Sequence, residues 1–136
     1  MRPSILVLAV ALESLSPCLA HADLPTASLR ASMVCEAPSS PGRFRCDVEV
    51  RVLEGSLSWA EVEVIAVDDL VLPLRGRLGP RDAATRDADI YRWSLGFVAK
   101  GRGAATITAR LRAVVCHGQA CEPAQTDVSG RVTVGP

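Results

Sequence analysis

From residue 29 onward the chain alternates apolar and polar positions with a period of two, the mark of strands with one face buried. Phe44, Cys46, Val48, Val50 and Val52 share one face, and Arg43, Arg45, Asp47, Glu49 and Arg51 the other. Leu29, Ala31, Met33 and Cys35 predict a preceding strand, separated from it by the Pro/Ser/Gly-rich turn 36–42. Ala60, Val62, Val64 and Ala66 alternate with Glu61 and Glu63, and Asp68-Asp69 predicts a turn. The apolar run 70–74 contains Pro73, which confines it to a sheet edge. Tyr91, Trp93, Leu95 and Phe97 line one face of another strand, which ends at the turn Gly101-Arg102-Gly103. Ala105, Ile107, Ala109, Leu111 and Ala113 then alternate with Thr106, Thr108, Arg110 and Arg112, and Val128, Val132 and Val134 predict a last strand. The polar stretch 76–89 reads as a long surface loop.

No segment carries a 3.6-residue stripe of helix length. About seven short strands with turns at intervals of about ten residues predict an all-β fold, an antiparallel immunoglobulin-like β-sandwich. Trp59, Tyr91, Trp93 and Phe97 are candidates for a binding surface, but core packing explains most of them better, because the chain has only five aromatic residues, with Phe44 the fifth.

The N-terminus changes the picture. Met1-Arg2 is a short positive region, 5–12 an apolar core, and Ala20-His21-Ala22 a small-x-small cleavage site. This predicts a signal peptide over 1–22, cleaved after Ala22, and a single domain over 23–136 that is periplasmic or secreted. The apolar run is too short to span a bilayer, so no transmembrane segment is expected after cleavage. Pro17 before Cys18 fits a lipoprotein cleavage box poorly. The formal net charge is zero, which removes the electrostatic case for a nucleic-acid partner or an anionic membrane.

Cleavage removes Cys18 and leaves Cys35, Cys46, Cys116 and Cys121. An even set in an exported chain predicts disulfides, with three full pairings open. Side-chain alternation puts Cys35 and Cys46 on the core faces of neighbouring strands, suited to a structural bridge if their Cα atoms come within about 7 Å. Cys46, Trp59 and Cys116 imitate an antibody-type Cys-Trp-Cys arrangement. Against that pairing, the strand from Ile107 carries Cys116 to the outward face with Arg110 and Arg112, and Val114 stands where a tyrosine is expected. Cys116 with Cys121 is the preferred second pair.

Cys116-His117-Gly118-Gln119-Ala120-Cys121 at the end of a strand is the candidate site. Thiol exchange needs an exposed sulfur and something to stabilise a thiolate. An outward Cys116, with His117 as modulator and Arg110 and Arg112 on its face, would supply both. The same Cys116, His117 and Cys121 also form a soft set for copper or zinc. No motif asks for a cofactor. Hydrolysis finds no support, because His117 is the sole histidine after cleavage and no nucleophile motif accompanies it.

Asp89-Ile90-Tyr91-Arg92, the strand entry Gly103-Ala104-Ala105-Thr106, and Cys116…Cys121-Glu122-Pro123 together resemble the N-terminal periplasmic domain of the thiol:disulfide interchange protein family DsbD. The resemblance covers roughly 90–134. It implies an immunoglobulin-like domain whose Cys116/Cys121 pair passes electrons to periplasmic partners. The reading taken forward is an exported accessory or binding domain with two disulfides and no hydrolytic activity, whose partner is another periplasmic or membrane protein. The alternatives are thiol-disulfide exchange at Cys116/Cys121 and soft-metal binding at Cys116/His117/Cys121.

Overall fold

The computed structural model describes residues 29–135. The expected signal peptide over 1–22, with Cys18, lies outside the described residues. Among the described residues nine strands form two antiparallel sheets: β1 (Leu29–Cys35), β2 (Gly42–Val52), β3 (Ser56–Val67), β4 (Val71–Pro73), β5 (Arg77–Leu78), β6 (Thr85–Arg86), β7 (Ile90–Ala99), β8 (Gly103–His117) and β9 (Ala120–Val134). One sheet runs β1-β2-β7-β4, with β6 also on β7, and the other runs β5-β3-β8-β9. This is the all-β, immunoglobulin-like sandwich that the alternation predicts.

The inward faces make one hydrophobic core, and among the described residues no polar or charged residue is buried. Phe44 and Phe97 are register partners across β2 and β7, and their rings stack with centroids 5.5 Å apart. Ala105, Ile107, Ala109, Leu111, Ala113 and Val115 bring the face of β8 against them. Among the described residues no helix is long and apolar enough to cross a membrane.

Two expectations are corrected. The predicted loop 76–89 carries β5, a 3₁₀ turn (Pro80–Asp82) and β6. The Trp93 indole N–H donates to the Gly79 carbonyl at 2.9 Å, and Ala84 N–H donates to the Arg92 carbonyl at 2.8 Å. Anchoring by a core side chain and by the edge of β7 orders a stretch too short and polar to show alternation. On β3, the register with β8 shifts between Leu57 and Trp59 and again between Val64 and Ala66. Each bulge inserts a residue and reverses which side chains face inward. Ala66 and Trp59 are therefore exposed, while the other four aromatic residues are buried.

Candidate functional site

The hairpin β8–β9 closes through a two-residue turn, Gly118-Gln119, between the register partners His117 and Ala120. Gly118 has φ of 62°, and a positive φ at the first central position belongs to the turn type whose twist matches the flanking strands. In such a hairpin the residues flanking the turn exchange both backbone hydrogen bonds. The next pair, Cys116 and Cys121, therefore occupies a non-hydrogen-bonded site, where facing side chains are closest. Their Cα atoms are 4.0 Å apart and the sulfurs are bonded. The same alternation makes Pro123, opposite Val114, a residue whose missing N–H points to the open edge of β9. The ladder loses nothing there, and the edge is blunted against pairing.

Cys116 is half-buried and Cys121 exposed. The other bridge, Cys35–Cys46, spans register partners on β1 and β2. Cys46 is 0% exposed within the core.

The groups expected to serve Cys116 are not assembled around it. His117 follows Cys116 on an extended strand, so the two side chains leave on opposite faces. The imidazole instead lies over Gly55 in the β2–β3 turn. Gly55 has φ of 84°, and a Cβ there would meet the Cys116 carbonyl oxygen at 2.5 Å and His117 Nδ1 at 3.0 Å. Only glycine allows that turn to press against the hairpin.

Arg110 and Arg112 do share the outward face, but each is engaged by carboxylates. Arg110 binds both oxygens of Asp127, at 2.9 and 3.0 Å, and its hydrogen bond holds the Asp127 carboxyl below the usual range. Arg112 reaches Glu61 and Glu63, both at 3.4 Å. Arg112 is also four residues from Cys116, about 13 Å along a strand. Among the described residues no three His, Cys, Asp or Glu side chains converge. With both sulfurs in a disulfide and His117 turned away, the residues do not fit a copper or zinc ligand set.

Sequence reasoning missed the exposed apolar surface. Leu72 and Leu74 are 50% and 52% exposed. Leu72 faces Val98 across β4 and β7. Leu74 folds over Gly96, where its Cδ1 would lie 3.1 Å from an added Cβ. The run 70–74 showed an edge strand, but not that its leucines would stand on the outer face.

No family model matches the chain, and no curated protein matches it. Among solved structures, it is similar to a PapD-like domain of human CEP192, at 10% identity over 94% of this chain and 99% of that one, with a TM-score of 0.42. It is similar to WR4, an MSP family member from C. elegans, at 6% identity over 79% of this chain and 98% of that one, TM-score 0.44. It is also similar to AggA, the major subunit of aggregative adherence fimbriae type I from Escherichia coli, at 12% identity over 83% of this chain and 99% of that one, TM-score 0.41. These likenesses are at the level of fold. They correct the DsbD resemblance: the similar structures are PapD-like, MSP and fimbrial domains, not an interchange domain.

Proposed function

We propose that this chain is a noncatalytic binding module of an oxidising compartment, a sandwich stapled by two disulfides that docks a periplasmic or membrane protein. The observation that carries the proposal is the outer-face cluster of Leu72, Leu74 and Val98. It is apolar, contiguous and placed at a sheet edge. On β2, Arg43 and Arg45 are the register partners of Val98 and Gly96 and rim it with charge. Apolar surface of this kind with a polar border is the signature of an interaction site. The two disulfides fit export, the signal peptide expected over 1–22 would provide it, and 23–136 would then be the working domain.

A photo-crosslinking residue at position 72, in the native host, tests the proposal. A discrete protein adduct is expected, and it should be lost on Leu74→Asp with secretion and folding intact. Diffuse crosslinking, or an adduct indifferent to Leu74→Asp, rejects it.

A second reading, thiol-disulfide exchange at Cys116–Cys121, is favoured by the exposure of Cys121 at a hairpin tip. It requires that bridge to equilibrate with a glutathione buffer well above the about −300 mV typical of structural disulfides. A bridge that resists reduction until the protein unfolds ends that reading.

A further inference from the structure

Trp59 is the one aromatic residue outside the core, 37% exposed. Its position comes from a single extra residue. Leu57 pairs with Val115 and Trp59 with Val114, so Ser58 is inserted. Were Ser58 paired in a regular ladder, Trp59 would share the inward parity of Leu57. The bulge turns a large indole out of a small core and places it over a groove of about 490 Å³, between β3 and the segment that holds the 3₁₀ turn and β6.

The opposite wall of that groove carries Pro80, Arg81 and Arg86, with Tyr91 also lining it. Its one acidic residue, Asp82, is already engaged. It accepts from the Gly79 N–H at 2.9 Å and pairs with Arg75 at 2.9 Å. Arg81 and Arg86 form no ion pair among the described residues. The groove therefore has a flat apolar surface beside two uncompensated guanidiniums. Guanidinium forks match carboxylates in a bidentate way. Tryptophan and arginine are also the side chains most enriched among residues that dominate protein–protein binding. The groove is more open than enclosed, whereas small-molecule sites enclose most of their ligand. That openness favours an extended chain.

We propose that the Trp59 groove docks an acidic segment of a partner polypeptide, with a carboxylate on Arg81 or Arg86 and an adjacent apolar or aromatic side chain against the Trp59 indole. This site is separate from the leucine cluster, and neither proposal depends on the other.

The probe is a dye-labelled, end-capped peptide of sequence Glu-Glu-Phe-Glu-Glu, followed by fluorescence anisotropy with the intact, oxidised protein. Saturable binding is expected, weakened about tenfold or more by Trp59→Ala and by the double change Arg81→Glu with Arg86→Glu. It should also weaken as ionic strength rises, since exposed charges are screened. Trp59→Phe, which keeps a flat ring, should retain most of the affinity, and a Lys-Lys-Phe-Lys-Lys peptide should not bind.

Absence of saturable binding by the acidic peptide overturns the proposal. So does binding that both variants leave unchanged while their melting curves show a folded protein. Tighter binding of an oligogalacturonate would assign the groove to acidic carbohydrate instead. A Trp59-dependent dimer in sedimentation would assign it to a second copy of this chain. A failed peptide test with the position-72 adduct intact removes only this inference, whereas loss of the adduct alone removes only the leucine docking face.

Discussion

Gly130 on β9 lies so close to Met33 on β1 that a Cβ at Gly130 would sit 2.7 Å from Met33 Sδ and 3.1 Å from Cys35 Sγ. The two strands belong to different sheets, so this contact is where the sandwich closes along one side. A glycine there lets β1 cross β9 while Cys35 keeps its bridge to Cys46.

Gly130→Ala is therefore expected to destabilise the fold by about 1–3 kcal/mol, the usual cost of overpacking. Met33 is flexible and can yield, but the Cys35 sulfur is held by its partner. Met33→Ala in the Gly130→Ala background should recover part of the loss, although Met33→Ala alone removes packing. Urea denaturation of the three variants checks this. A neutral Gly130→Ala would mean that the strands separate easily at this crossing.

The two bridges should separate under mild reduction of the native protein. Cys121 is exposed, while Cys46 is sealed in the core. A dilute phosphine followed by alkylation should label Cys116 and Cys121 first, leaving Cys35–Cys46 closed until unfolding. Mass mapping reads the order, and simultaneous labelling of all four cysteines would show that access does not decide it. Loop length adds a second difference. Sequence separations of 11 and 5 give about 3 and about 2 kcal/mol on the chain-entropy model. Replacing Cys35 and Cys46 with alanine should therefore cost more than replacing the tip pair.

Long, regular strands were the legible part of this sequence. Phe44 to Val52 and Ala105 to Ala113 alternate without interruption, and the structure keeps both faces as read. The outward parity of Cys116 follows from the same regularity. Ala66 was misread because the bulge after Val64 adds one residue without a sequence signature, and everything beyond it changes face. The segment 77–86 was missed because its order comes from partners distant in sequence, chiefly Trp93 and Arg92. The environment of Cys116 was misjudged because composition shows that arginines are near but not that Glu61, Glu63 and Asp127 engage them.

Acid should weaken the fold by a modest, salt-sensitive amount. Arg92 hydrogen-bonds Glu49 at 2.7 Å and, as the largest cause, holds that carboxyl below its ordinary range. Arg110 does the same to Asp127. A carboxyl whose pKa is lower folded than unfolded contributes fully above the unfolded value of about 4, and that contribution is lost as pH falls through the folded one. Both pairs are solvent-exposed and screened by water and salt, so each contributes little. Denaturation midpoints should show no change from these groups between about pH 7 and pH 5 and decline below about pH 4. High salt or Asp127→Asn should reduce that decline. An undiminished decline in the presence of both would place the acid sensitivity elsewhere.

The two tryptophans should behave oppositely when truncated. Trp93 is 1% exposed and bonds the Gly79 carbonyl, so Trp93→Ala opens a cavity and releases the anchor of the segment beyond it. A loss of about 3–5 kcal/mol is expected. Trp59→Ala removes a half-solvated ring from the outer surface and should cost less than about 1 kcal/mol. Deleting Ser58 is the sharper test, because it removes the inserted residue. Leu57 already pairs with Val115 and Trp59 with Val114, so the two stretches of ladder then join without a shift, and the variant is expected to fold with Leu57 inward and Trp59 still outward. Emission from a Trp93→Phe variant reports the environment of Trp59 directly, and a solvent-exposed, long-wavelength spectrum is expected. If Trp59→Ala instead costs as much as Trp93→Ala, then Trp59 is a packing residue, and the bulge at Ser58 serves the core and not an outward-facing indole.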